Sequence, residues 1–330
     1  MKTGWATDPE LRHAGASGGA LSALLVHLLE TGEVEAVLQT AADPEQPARN
    51  VSVVSRSREE VIKAAGSRYA PSALLADLAP HLAKHRTDGW RFAVVGKPCD
   101  AVALRGMQER DPEIARAFPV IVSFFCAGVP SHAGGEEVLA SLGTSPEAVR
   151  TFRYRGNGWP GRTTATLGDG RELSMTYHES WGGILSRHVQ HRCKICADGT
   201  GVAADIVCAD AWESDDRGYP IFDEAPGVSL IVARTELGAR LMHDAEAAGR
   251  IGTAPFDPAA LAAIQPGQRE RRRALLARLT ALRLVGRPVP HYEGLHLVEA
   301  ARQNPVARNL KNFLGMVRRS LRPWWSPVGK

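Results

Sequence analysis

No run of apolar residues in this sequence approaches the roughly 20 needed to span a bilayer as a helix, so no membrane-spanning helix is expected. The opening residues, MKTGWATDPELRHAG, lack the basic-then-apolar order of a secretory signal. Cysteine is scarce: five in 330 residues, an odd number, widely scattered. That excludes the dense disulfide framework of a small secreted domain. With no export signal, the cytoplasm is the expected compartment, and there thiols serve metal binding or redox work before structural bridges. There is no internal repeat. Acidic residues are missing from the last thirty positions, where Arg302, Arg308, Lys311, Arg318, Arg319, Arg322 and Lys330 stand alone.

What is present is ordinary in bulk. Hydrophobic residues make up 44% and charged residues 23%, the balance of a soluble globular protein. The length allows two compact domains, or one large domain with an appendage. Residues 17–32, SGGALSALLVHLLETG, predict a helix capped by Ser17, stopped by Gly32, and apolar along Leu21, Leu24, Leu25, Leu28 and Leu29. RNVSVVSR predicts a strand, and SREEVIKAAG a helix with Ser57 and Glu60 at capping-box spacing. APSALLADLAPHLAKH predicts a helix bent at Pro80.

RFAVVGK and PVIVSFF are short apolar runs of buried-strand type, separated by the helical DAVALRGMQERD. RTTATLGDGRELSMTY reads as a hairpin, DIVCADA and VSLIVAR as strands, and TELGARLMHDAEAAG as a helix. The expected class is α/β, or mixed α+β: a sheet core over about residues 34–235, flanked by helices, with strands ending at Gly249 and a helical C-terminal appendage. Three sections are expected: residues 1–88, 89–255 and a basic helical tail, 256–330. In the tail, Arg269, Arg271, Arg272 and Arg273 cluster, and Val306, Leu310, Phe313, Leu314 and Val317 share one side before Trp324-Trp325. Such a segment lies on a membrane surface or packs against the body or a partner. No nucleic-acid partner is expected.

Of the five thiols, Cys208 sits mid-strand among apolar neighbours and reads as a small buried hydrophobe. Cys99 follows one strand in VVGKPCDA, Cys126 ends another in SFFCAGVP, and Cys193 and Cys196 form a C-x-x-C before a third. Strand ends and loops are where α/β proteins gather functional groups. One knuckle and two distant singletons leave three readings open: an iron–sulfur cluster, a zinc site, or thiols that bind no metal.

The ordered segments GASGGALSALLVHLLETGEV, GSRYAPS, VGKPCDAVALRG, SFFCAGVPS, FRYRGNGWPG and HRCKICADGTGVAADIVCADAW span about residues 4–235. In this order they resemble the coenzyme F420 hydrogenase/dehydrogenase beta-subunit family, which also takes in chlorophyll-pathway reductases such as 7-hydroxymethyl chlorophyll a reductase and the ferredoxin-type divinyl reductase. The resemblance implies an oxidoreductase with FAD and iron–sulfur clusters, and coenzyme F420 as one class of substrate. It carries Cys99, Cys126, Cys193 and Cys196 over as ligands of one [4Fe–4S] cluster, with an alanine between Cys126 and Gly128. Many members begin with a cysteine-rich ferredoxin-like segment. This sequence starts almost directly at GWATDPELRHAGASGG, so a natural short form or a truncated reading is expected, with that electron relay supplied by a ferredoxin or another redox subunit.

On the flavin side, Ser17, Gly18 and Gly19 bring bare amides to a helix N-terminus, which suits a pyrophosphate. Ser67, Arg68, Tyr69 and Ser72 offer hydroxyl and cationic partners, and Lys97 a charge beside the flavin. Asp210 is the further cofactor-binding expectation, and Lys97 and Tyr69 are the candidates for the reacting groups. Arg153, Arg155 and Trp159, set among glycines, suit an acidic or planar small-molecule substrate.

Overall fold

A computed structural model of the chain describes residues 1–211, 221 and 223–321. Trp212 and the Trp324-Trp325 pair lie outside the described residues. The strands are β1 (Lys2–Ala6), β2 (Ala36–Ala42), β3 (Asn50–Ser55), β4 (Phe92–Gly96), β5 (Val120–Phe124), β6 (Val149–Arg153), β7 (Arg162–Leu167), β8 (Glu172–Thr176), β9 (Ile206–Asp210), β10 (Ser229–Ala233) and β11 (Ile251–Pro255). Eight of them form one sheet in the order β11-β1-β10-β9-β5-β4-β2-β3. Its middle strands β9, β5, β4 and β2 run parallel, and the pairs toward both edges are antiparallel. β6, β7 and β8 make a small antiparallel sheet of their own.

The α-helices are α1 (Pro9–Ala14), α2 (Ala20–Glu30), α3 (Arg58–Lys63), α4 (Ala79–Asp88), α5 (Pro98–Gln108), α6 (Pro112–Ala117) and α7 (His132–Ser141). After them come α8 (His191–Lys194), α9 (Glu236–Ala247), α10 (Leu261–Ile264), α11 (Pro266–Leu284), α12 (Leu297–Arg302) and α13 (Val306–Leu321).

The apolar strand runs are explained by burial on both faces. Successive strand residues point to opposite sides. Ala93, Val95, Val120, Val122, Ile206 and Cys208 face a core that also holds Leu24, Leu25 and Leu28 of α2 and Leu241 and Ala245 of α9. Their neighbours Phe92, Val94, Ile121, Val207 and Ala209 face the other core, with Leu104 of α5 and Ile114 of α6. The mixed α/β class, the helix-flanked sheet and the helical C-terminal region are therefore as expected.

Three local expectations change. Strands do not end at Gly249: β11 follows it and pairs with β1 along Lys2–Ala6. Both strands carry glycine and little apolar content, and their pairing sets the first and last strands of the chain side by side at one edge of the sheet, which no local pattern announces. The helix expected over APSALLADLAPHLAKH is helical only over α4, where Pro80 sits in the first turn. Its missing amide costs nothing there, so the proline starts the helix instead of bending it. Ser57 does cap α3 by accepting from the Glu60 amide, but the Glu60 carboxylate reaches the Arg56 amide, one residue before the cap. No helix among the described residues is long and apolar enough to cross a membrane.

Candidate functional site

The parallel strands β2, β4, β5 and β9 all end on the same side of the sheet, where open α/β sheets place their ligands. The residues that leave those ends are Lys97-Pro98-Cys99 after β4, Phe125-Cys126 after β5 and Asp210 at the end of β9. A cleft of about 280 Å³ opens there. Ser17, Gly19, Ser67, Tyr69, Ser72, Lys97, Asp210 and Arg155 line it together with Cys126. These residues come from six separate stretches of chain, and only the fold brings them together.

The N-terminus of α2 forms one wall. Gly19 is the N-cap, in left-handed conformation (φ 68°), and no side chain caps the helix. The cap expected from Ser17 is absent; its carbonyl instead accepts from the Ser229 hydroxyl. Glycine is required at position 19 because a Cβ would lie 2.3 Å from the Leu11 carbonyl oxygen. A Cβ on Gly18 (φ 75°) would lie 2.8 Å from the Gly227 oxygen, and Gly18 is absent from the cleft lining. Both glycines let α1 and the turn at Gly227 press against the start of α2. Gly19, Ala20 and Ser22 then present the first turn of an eleven-residue helix to the cleft, with its positive dipole end toward an incoming anion.

Opposite, Lys97 is buried and its ammonium reaches the Ser72 hydroxyl (2.6 Å) and the Asp100 carboxylate (2.7 Å). Asp100 also accepts from the Lys97 amide (3.0 Å), fixing the turn from β4 into α5. Arg68 lines the cleft too. It donates to Asn50 and to the carbonyls of Pro47, Arg49 and Phe152, and no carboxylate pairs with it among the described residues. Burial pulls its pKa down to about 10. A cation so placed is compensated best by a bound anion. Tyr69 packs against Trp181 (ring centroids 4.8 Å apart) and Tyr177 (6.4 Å), giving the cleft an aromatic side. Burial pushes the Tyr177 hydroxyl well above its usual range, so it stays protonated.

Arg155 is fully buried and forms a two-pronged pair with Asp210 (2.7 and 2.8 Å). Burial works against its charge, and Asp210 more than offsets that. Arg155 also donates to the Pro160 carbonyl (2.6 Å), and its guanidinium lies 4.8 Å from the centre of the Tyr177 ring. This pair ties the small sheet to the end of β9. Arg153 and Trp159 stand outside the cleft lining: Arg153 donates to the Ala65 carbonyl (3.2 Å), and Trp159 is buried against Gly227.

Of the four candidate thiols only Cys126 lines the cleft. Cys99 stands in the first turn of α5, Cys193 in the short helix α8, and Cys196 just beyond it. Cys193 Sγ accepts from the Val129 amide (3.4 Å), three residues after Cys126. Burial first, then nearby carboxylates and thiols, hold several of the protons on. Cys126 is pushed up to about 11 by burial, with Cys193 and Cys99 adding to the rise and Arg271 opposing it. Cys99 is raised by loss of solvent, Asp100 and Cys196; Cys196 by loss of solvent, Asp198 and Cys193. The four thiols thus share one electrostatic neighbourhood. Among the described residues, no three His, Cys, Asp or Glu side chains form a group that could hold a metal ion. Cys208 is buried in β9 and pushed up to about 12 by burial, as a sulfur in an apolar core should be.

Residues beyond the motifs complete the site. Gln265 donates to the Asp210 carbonyl (2.7 Å), and Gln268 (3.1 Å) and Arg271 (2.6 Å) donate to the Cys126 carbonyl. Arg272 donates to Ala197 (2.7 Å), Arg278 to Lys194 (3.0 Å) and the Tyr292 hydroxyl to Ile195 (2.7 Å). Ile195 and Ala197 pack into a core with Leu275, Leu279 and Met316. The C-terminal helices therefore clamp the cysteine loop. The arginine cluster in the sequence was the only signal of this.

Residues 1–79 match the N-terminal region, and residues 89–259 the C-terminal region, of the coenzyme F420 hydrogenase/dehydrogenase beta subunit. The chain belongs to that family. It is 27% identical over 248 residues to the coenzyme F420-dependent sulfite reductase of Methanocaldococcus jannaschii, a match covering 70% of this chain but only 35% of that protein. It is 24% identical over 297 residues to the coenzyme F420 hydrogenase subunit beta of Methanococcus voltae, covering 87% and 95% of the two chains. A chain in the structure of the F420-reducing [NiFe] hydrogenase complex of Methanosarcina barkeri has the same fold, with a TM-score of 0.62 at 21% identity over 84% of this chain and 91% of that one.

Proposed function

We propose that this member of the coenzyme F420 hydrogenase/dehydrogenase beta-subunit family is a redox subunit with FAD in the cleft and a [4Fe–4S] cluster on Cys99, Cys126, Cys193 and Cys196. Its small-molecule partner is then a deazaflavin of the coenzyme F420 kind, or another conjugated ring. The observation that carries this reading is the position of Cys126. It lines the cleft with Val129, whose amide donates to Cys193 Sγ (3.4 Å), so the cleft borders the cysteine loop. When bound, a flavin supplies both hydride and single-electron exchange, which is what a site between an organic substrate and a cluster requires.

The donor sets fit. Four thiols suit iron–sulfur ligation, and a cluster carrying its own sulfides needs a wider ring of thiols than a single metal ion does. The bare first turn of α2 and the uncompensated Arg68 suit phosphates. Tyr69, Tyr177 and Trp181 offer faces for a planar ring. Lys97, held by Ser72 and Asp100, sets a hydrogen-bond donor in the cleft wall. Asp210 is engaged by Arg155, so its part is to hold the wall in place.

The subunit names of the relatives support a second redox subunit as electron partner; a ferredoxin is the alternative. The test is anaerobic purification followed by an absorption spectrum and analysis of released cofactor. FAD together with iron and acid-labile sulfide supports the proposal. A colourless protein carrying zinc refutes it, and iron without flavin reduces the chain to an electron-transfer subunit.

A further inference from the structure

We infer that the outer face of α13 docks this protein on an anionic lipid surface. The apolar residues of α13 divide into two sets. Phe313, Met316 and Val317 pack inward with Leu275, Leu279 and Leu282. Val306, Leu310, Leu314 and Leu321 point to solvent, 84%, 55%, 55% and 71% exposed. Their spacing of four, four and seven keeps them on one side of the helix. Leu284, 72% exposed, closes α11 at the same end as Leu321, where Arg287 donates to the Ser320 carbonyl (3.2 Å). The inward set already satisfies the packing of the helix, so the outward set needs a different occupant.

The charge around it says which. Lys311 and Arg318 border the stripe, while Arg308 pairs with Glu270 on the far side of the helix, and residues 301–321 contain no acidic residue. Lys311 and Arg318 have no ion-pair partner among the described residues. Residues 256–330 hold 14 Lys and Arg against 4 Asp and Glu, a charge of +10, which leaves −6 on residues 1–255 of a chain whose total is +4. A second copy docking through the same face would bring like charges together. The stripe is a ridge of aliphatic side chains with no exposed aromatic among the described residues, whereas protein interfaces centre on aromatic anchors and lose charge at their core. An amphipathic helix lying at headgroup depth needs only such a ridge, bordered by cations.

This inference is independent of the redox reading. The purified full chain is mixed with vesicles of phosphatidylcholine alone or of phosphatidylcholine with phosphatidylglycerol, and floated on a density gradient. It is expected to float with the anionic vesicles at low ionic strength and to release them at high salt, where screening shortens to a few ångströms. The exposed pair Leu310→Ser/Leu314→Ser is expected to keep the circular dichroism and melting temperature of the parent and to bind at least about tenfold more weakly. Lys311→Glu/Arg318→Glu should lower binding to anionic vesicles alone. A parent chain that does not float with anionic vesicles, or floats equally with neutral ones, overturns the inference. So does parental binding by the leucine pair.

Discussion

In the body of the protein Arg155 is buried against a carboxylate, Asp210, with two charged hydrogen bonds. Over the C-terminal helices Arg271, Arg272 and Arg278 are instead spent on main-chain carbonyls of Cys126, Ala197 and Lys194. The first arrangement neutralises a charge and locks two sheets together. The second fixes a loop while leaving its positive charge unspent beside the thiols. On the proposed reading, four ionised cysteines around a cluster would concentrate negative charge there, and cations held close by would stabilise it. The same side chain thus serves rigidity in one region and electrostatics in the other.

The comparison is broken most severely by Arg155→Met. It leaves the Asp210 charge without its partner and should cost about 3–5 kcal/mol in chemical unfolding. Arg271→Met should cost far less stability and mainly slow labelling of Cys126 by a thiol reagent in metal-free protein, because the cation that favours its thiolate is gone. Equal destabilisation by the two variants would erase the distinction. Next in size is Gly19→Ala. The added Cβ meets the Leu11 carbonyl at 2.3 Å in a left-handed backbone, so about 1–3 kcal/mol of strain is expected, with lower flavin occupancy as the first turn of α2 shifts. Unaltered melting and flavin content would contradict the assigned role of that turn.

The smallest effect concerns pH. His27, buried on α2, has its pKa lowered by burial and then by Arg250, against the pull of Asp244, Glu30 and Glu33. Its folded pKa lies below the unfolded value of about 6.5, so the unfolded chain binds the proton more readily. The stability it contributes is present above about pH 6.5 and lost as pH falls through the folded value. His27→Leu should flatten the dependence of melting temperature on pH below about 6.5; an unchanged slope would show that other groups govern it.

How far the sequence could be read follows from where each interaction is made. β4, β5 and β9 were legible because burial on both faces leaves continuous apolar runs. β1 and β11 were not, because each is stabilised chiefly by partners more than 200 residues away. The thiols and the glycine turn at residues 18 and 19 could be picked out by residue type alone. Arg153 and Arg155 look equivalent in FRYRG, yet one holds the Ala65 carbonyl and the other a buried carboxylate. Only the packing of the small sheet separates them. Gln265, Gln268 and Arg271 reach the site through the docking of α11 on the cysteine loop, a tertiary event with no local signature beyond clustered arginine.

The most direct measurement is the iron content of anaerobically purified Cys193→Ser and Cys208→Ser beside the parent chain. The account predicts about four iron atoms per chain in the parent and in Cys208→Ser, which at most loses about 1–3 kcal/mol from its apolar site, and little or none in Cys193→Ser. Equal iron in all three would contradict it.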